Sequence, residues 1–145
     1  MDESGRLIRE ILAGAGVTVG HAEILPDEKD LIVHALTRLA GSGTIDLIIT
    51  TGGTGVSPRD VTPEATREVI DRELPGMAEA MRAERLKKTP HAMISRAVVG
   101  IRKQTLIVNL PGSPRAVREN LSVILPALQH AIEKIRGDRS ECGSP

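Results

Sequence analysis

The sequence predicts an α/β layered fold, and three observations predict it. Helical and extended patterns alternate along the chain, as in sheets that carry helices on their faces. Ile45 to Thr50 is a short, nearly continuous apolar run, the composition of a parallel strand covered on both sides. Two glycine-rich turns, Gly52-Gly53-Thr54-Gly55 and Pro111-Gly112-Ser113-Pro114, each follow an apolar strand pattern. Open α/β sheets bind ligands beyond the carboxyl ends of their strands, so both turns are expected on one edge.

The elements follow in order. Leu7, Ile8, Ile11, Leu12 and Ala15 recur at helical spacing, which predicts a helix over Ser4 to Ala15, ended by Gly14 and Gly16. Val17 to Ile24 alternates apolar and polar residues and reads as a strand stopped by Pro26. Asp27 can cap the next helix, whose stripe is Leu31, Ile32, Ala35, Leu36 and Leu39, with Gly41 and Gly43 closing it. After the strand at Ile45 to Thr50 and the first turn, Thr62 reads as an N-cap with Pro63 at the first helical position and Glu64 in the first turn. Pro75-Gly76 breaks that helix, and another runs through Met77, Ala80, Met81 and Leu86. Ala97 to Ile101 and Thr105 to Leu110 are strand-like and separated only by Arg102-Lys103-Gln104, which predicts a hairpin and an antiparallel edge. Ser113 caps the last helix, with Pro114 in its first turn and a break expected at Pro126. One domain is expected over residues 1–136, followed by a flexible tail over 137–145.

The turns carry the chemistry. Glycines expose backbone N–H groups with no side chain in the way, which suits phosphate oxygens. The first turn is neither a Walker A loop, since no Gly-Lys-Ser/Thr follows, nor a dinucleotide fingerprint, since Val56-Ser57-Pro58 follows Gly55 without a third glycine. Thr50, Thr51, Thr54 and Ser57 can add hydroxyl donors to it. Asp60 is surplus to capping once Thr62 fills that role. A carboxylate beside a phosphate cradle repels the ligand unless a cation lies between them, and Mg²⁺ characteristically binds through one or two carboxylates plus phosphate oxygens. Asp27 carries two readings, a plain helix cap and a site residue on the same edge. Ser95 is locally an ordinary polar residue; Arg59, Lys87, Lys88, Arg96 and Arg102 read as solvated surface charges, and His91 as a packed or exposed histidine.

Composition removes several function classes. The 145 residues carry 19 Lys plus Arg against 19 Asp plus Glu, a balance that argues against bulk-charge attachment to nucleic acid or membrane. There is no Phe, Tyr or Trp, so no aromatic platform exists for single-stranded bases. Cys142 is the only cysteine; it cannot form an intrachain disulfide, and a cytoplasmic location fits. No stretch reaches the roughly 18 apolar residues of a membrane span. The four histidines lack zinc spacing, and no nucleophile–His–acid arrangement is present.

Three blocks then carry a resemblance: TTGGTGVSPRDVTPEAT from Thr50 to Thr66, TPHAMISR from Thr89 to Arg96, and TLIVNLPGSPRAVRENL from Thr105 to Leu121. In this order and spacing they resemble the molybdopterin adenylyltransferase family, which includes the bacterial MogA and MoaB proteins and the G domain of gephyrin; the wording of the last two blocks is nearer to MogA. The resemblance covers roughly Asp2 to Gly137. It implies a three-layer α/β/α molybdopterin-binding fold with a mostly parallel sheet and an antiparallel edge, and usually a homotrimer. It implies transfer of AMP from ATP to the phosphate of molybdopterin with Mg²⁺, releasing pyrophosphate, ahead of molybdate insertion by a partner enzyme. The family's two important aspartates fall on Asp27 and Asp60, both also candidate Mg²⁺ ligands. Its pterin-side serine falls on Ser95, and Arg96 beside it is likewise a candidate substrate-binding residue. Its phosphate- and nucleotide-contacting loops fall on Thr51, Gly52, Gly53, Thr54 and Gly55, and on Pro111, Gly112, Ser113 and Pro114.

Members normally begin with one further strand and a Thr-Val-Ser-Asp-like loop, and Met1-Asp2-Glu3-Ser4-Gly5 matches sequence after that loop. Without the strand, unpaired backbone groups beside apolar surface are expected. Two other function classes stay open at this point, a non-catalytic molybdopterin-binding or carrier domain and a trimeric scaffold. All readings of the site require the two glycine turns to converge.

Overall fold

The computed structural model describes residues 2–137; Cys142 and the expected tail beyond Gly137 lie outside the described residues. Within them, five α-helices and four strands follow one another as α1 (Glu3–Gly14), α2 (Lys29–Gly41), β1 (Leu47–Thr51), α3 (Thr62–Val69), β2 (Arg72–Glu73), α4 (Pro75–Leu86), a 3₁₀ turn (Pro90–Ile94), β3 (Val99–Arg102), β4 (Thr105–Leu110) and α5 (Pro114–Ile135). The sheet order is β1-β4-β3-β2. β1 runs parallel to β4, while β3 is antiparallel to both β4 and β2. The sheet is therefore mixed, with parallel pairing confined to β1 and β4 rather than predominating.

Strand alternation divides the core into two layers. Leu106, Val108 and Leu110 of β4 pack with Ile8 and Leu12 of α1, Ala78 and Met81 of α4, and Val117, Leu121, Ile124 and Leu128 of α5. On the other face Ile107 and Ile48 pack with Ile32, Leu36 and Ala40 of α2 and Ala65 and Val69 of α3. Each fully buried Leu or Ile contributes about 1.5–3 kcal/mol in transfer terms, and β4, buried at every position, is the element both layers share.

Local chemistry explains most element ends. Asp2 accepts from the N–H groups of Ser4 and Gly5 and caps α1. Ser113 caps α5 through Ala116 N–H, with Pro114 at the start where its missing N–H costs nothing. The β3–β4 hairpin forms as expected, and its turn places Lys103 at φ 54°.

Five local expectations are corrected. Val17 to Ile24 forms no strand: Val17 and Val19 pack against the core, but the segment finds no ladder partner, and alternation without a partner leaves an extended stretch only. β1 lies at the sheet edge, so only Ile48 of its five residues is buried. Asp27 does not cap α2, whose N-cap is Glu28 with no side-chain bond. Thr62 does not cap α3 either, since the helix already includes it and its N-cap Val61 has no side-chain bond. α5 does not break at Pro126; the proline faces solvent, where water can serve the Ser122 carbonyl that lost its i+4 donor. In addition, Pro75 starts α4 rather than merely ending α3, and the two-residue strand β2, which pairs Arg72 with Ile101 and Glu73 with Gly100, had no periodicity long enough to announce it.

Candidate active site

The site begins with register. Thr51 lies opposite Leu110 in the parallel pair β1–β4, so the residues that follow each strand leave the sheet side by side. Gly52 N–H donates to Leu110 C=O at 2.9 Å, and the Thr51 hydroxyl donates to Pro111 C=O at 2.9 Å. Gly52 and Gly53 have φ of 90° and 69°, a region that side-chain-bearing residues avoid. A Cβ on Gly53 would meet Thr62 Oγ1 at 2.4 Å. The two turns thus converge, as the sequence required, on the carboxyl edge of the sheet.

Two helices start at this edge. α5 begins directly after Gly112 and its cap Ser113. α1 is fastened there by Ser4, whose buried hydroxyl donates to Gly112 C=O at 2.6 Å. The N-terminus of α5 adds partial positive charge beside the turns, the environment an anionic group prefers, whereas the start of α1 is already capped by the Asp2 carboxylate. Sequence reasoning missed Ser4, although Asp2 and Ser4 at the start of a periodic apolar run were a readable helix-start signal.

Asn109 joins the layers beneath the turns. It is fully buried, and its Oδ1 accepts from Val98 N–H at 3.1 Å. Its Nδ2 donates to the hydroxyls of Thr50 at 2.9 Å and Thr66 at 3.0 Å. One amide therefore locks the end of β1, α3 and the approach to β3 against β4. A polar residue inside an apolar run was the signal for it, since buried amides occur where their bonds are met.

Ser95 and Arg96 arrive from the 3₁₀ turn. Arg96 N–H donates to Thr54 C=O at 2.8 Å, which brings the segment against the first glycine turn. The Ser95 carbonyl accepts from Arg82 Nη1 at 3.3 Å, and Ala97 C=O accepts from the same nitrogen at 3.1 Å. A shallow cleft below is lined by Ser95, Ala97, Asn109, Pro111, Met81 and Asn120. The Arg96 guanidinium is occupied by protein acceptors: Gly55 C=O at 2.7 Å, Asp60 C=O at 2.7 Å and the Glu64 carboxylate at 2.5 and 3.2 Å. Hydrogen bonding from Arg96 holds the Glu64 carboxyl below its usual range and raises Arg96 in turn.

The two aspartates sit on neighbouring loops. Asp60 Oδ2 accepts from Ser57 N–H at 2.9 Å and closes its own turn. Asp27, in the bend before α2, accepts from Arg59 Nη2 at 3.0 Å. Arg59 therefore ties Asp27 to the loop that carries Asp60, a link no sequence signal disclosed. Among the described residues no group of three or more His, Cys, Asp or Glu gathers as a metal site. This donor set does not suit a metal held by protein alone. It suits a hard cation that takes one or two carboxylates and completes its shell with phosphate oxygens and water.

Of the residues predicted for the site, Thr51 to Gly55, Ser95, Arg96 and Pro111 to Pro114 form one contiguous surface, with Thr54 buried beneath it. Asp60 stands on the same loop, and Asp27 joins it through Arg59. Ser113 and Pro114 spend their local chemistry on starting α5.

Comparison with known proteins places this arrangement among relatives. Residues 1–130 match the family described as "Probable molybdopterin binding domain". A molybdopterin adenylyltransferase of Helicobacter pylori (strain J99) is 43% identical over 139 residues, covering 94% of this chain and 79% of that protein. The crystal structure of the molybdopterin biosynthesis enzyme MoaB from Thermus thermophilus superposes with a TM-score of 0.89 at 51% identity, over 95% of this chain and 87% of that one. The molybdopterin biosynthesis Mog protein of Mycobacterium ulcerans superposes with a TM-score of 0.89 at 43% identity, over 95% and 89% of the two chains.

Proposed function

The chain belongs to the molybdopterin-binding domain family, and on that premise we propose that it acts in molybdenum cofactor biosynthesis as a molybdopterin adenylyltransferase. The observation that carries this reading is the convergence of Gly52 and Gly112. It brings two glycine turns and the start of α5 onto one edge, where two phosphate-bearing reactants would meet.

In the reaction, a terminal phosphate oxygen of molybdopterin bonds to the α-phosphorus of ATP. The bond from that phosphorus to the bridging oxygen breaks, and pyrophosphate leaves. Both reactants are anions, so their repulsion is the first obstacle. N–H groups of the two turns and of the α5 start offset it and hold the reacting atoms together, the entropic part of the acceleration. Ser95 and the cleft beneath it face the pterin side, and the Pro111–Pro114 turn the nucleotide side. Asp27 and Asp60 are the carboxylates that would hold Mg²⁺, which would supply neutralisation of phosphate charge there; Asp27 would then give up its bond to Arg59. No covalent protein intermediate is required.

A homotrimer belongs to this reading. Val56, Met93, Ile94 and Ile24 are exposed apolar side chains of the kind such an assembly covers. A molybdate-insertion enzyme is the partner that consumes the adenylylated product. No helix among the described residues is long and apolar enough to cross a membrane, and a cytoplasmic site of action fits.

The test is pyrophosphate release from ATP, Mg²⁺ and molybdopterin by the wild-type chain and by Asp60→Ala. Release by the wild type and its suppression in a folded variant support the reading. Molybdopterin binding without any release makes the chain a carrier. Wild-type turnover by Asp60→Ala removes Asp60 from the mechanism.

A further inference from the structure

Arg96 stands apart from the other site residues because its donors face the protein. The loop from Gly55 to Asp60 has little else to fix it. Val56, Ser57, Pro58 and Arg59 are exposed, so no apolar anchor holds the loop down. Its internal bonds, Ser57 N–H to Asp60 Oδ2 and Asp60 N–H to Ser57 C=O at 2.9 Å each, shape the turn but do not attach it. Attachment comes from Arg96 at both ends: Nε on the Gly55 carbonyl where the loop leaves, Nη2 on the Asp60 carbonyl where it returns. Glu64, in the first turn of α3, aligns the guanidinium from the far side. The Arg96 main chain completes the brace through Thr54 C=O. A further tie is the exposed ion pair of Arg59 with Asp27, a weak one in water.

The geometry points to Arg96 as a positioning residue: it clamps the two ends of the Gly55–Asp60 loop and thereby sets where the Asp60 carboxylate stands, without touching substrate. This rests on the reading of Asp60 given under Proposed function. A planar fork meets three separate acceptors at fixed angles, which a lysine ammonium on a flexible stem does not. Charge is therefore not the property that matters at this position.

The test uses the full chain with Arg96→Lys, Arg96→Ala and Glu64→Gln. Amide hydrogen exchange reads the loop, and steady-state adenylylation reads its consequence. Exchange across residues 55–60 rises roughly tenfold in both Arg96 variants while β3 and β4 keep wild-type protection. The kcat falls roughly tenfold or more with KM for molybdopterin within about threefold, and lysine gives no rescue. Glu64→Gln, which keeps the arginine but loosens its alignment, moves both readouts in the same direction by less; it decides the matter if Arg96→Ala fails to fold. Unchanged exchange across 55–60, or a raised KM that lysine restores, makes Arg96 a substrate contact and overturns the inference. Exchange that rises while an Asp60→Asn variant keeps full turnover leaves the clamp standing and removes Asp60's role instead, so the two failures are distinguishable.

Discussion

A methyl group on Gly112 would stand 3.3 Å from the Cα of Gly52, so the two turns touch backbone to backbone. That contact exists because β1 and β4 are adjacent, parallel and in a register that ends both strands together. It makes the two turns a single surface built from two distant stretches of chain.

Gly52→Ala and Gly112→Ala are expected to separate stability from binding. Gly52 at φ 90° imposes strain of about 1–3 kcal/mol on alanine, read as a lower denaturant midpoint. Gly112 has no such φ, so alanine there pushes the turns apart with little loss of stability, and ATP affinity falls roughly tenfold or more. Wild-type affinity in Gly112→Ala would show that the close approach is not needed for binding.

Asn109→Ala removes the three hydrogen bonds of a buried amide and leaves Val98 N–H without its acceptor. Each orphaned buried group costs about 1–3 kcal/mol. Equilibrium denaturation is expected to show a lower midpoint at unchanged slope. A midpoint within error of wild type contradicts the role assigned to this amide.

Glu119 supplies a pH prediction. Lys88 first, and then Arg85, hold its carboxyl below the ordinary value of 4.5, with contacts of 3.1 and 3.2 Å. A depressed native pKa means that the unfolded chain takes up the proton more readily. The stabilisation is therefore complete above the ordinary glutamate range and is lost as pH falls through the lower native value. Glu119→Gln lowers stability at neutral pH and flattens the acid limb of a melting-temperature profile. A limb as steep as the wild type's assigns the acid sensitivity to other carboxylates.

Ser113→Ala deletes the hydroxyl that caps α5. The expected loss is about 1 kcal/mol, measured by thermal or denaturant unfolding. Ser113→Asp restores the cap and places a negative charge at the anion-binding edge. It therefore recovers stability while weakening nucleotide binding, whereas a recovery of both would place the nucleotide elsewhere.

The sequence by itself determined what depends on neighbours along the chain. Helix starts at Ser113-Pro114, the hairpin around Lys103 and both glycine turns are local, and each formed as its residues dictate; the Thr50 and Thr51 hydroxyls, expected as donors to the first turn, are instead bonded to Asn109 and to Pro111 C=O. The convergence of the turns was legible as a rule of α/β sheets and not as a distance. Tertiary structure alone decided what depends on partners: Val17 to Ile24 alternates like a strand but has no ladder to join, and the two residues of β2 are a strand only because β3 lies beside them. The same reason governs the site. Asp27 is a cap by local logic until Arg59 reaches it from another loop, and Arg96 is a surface charge until the fold sets three acceptors around it. Backbone preferences act over a few residues, whereas a hydrogen-bond partner is chosen by whatever the packed layers bring within reach.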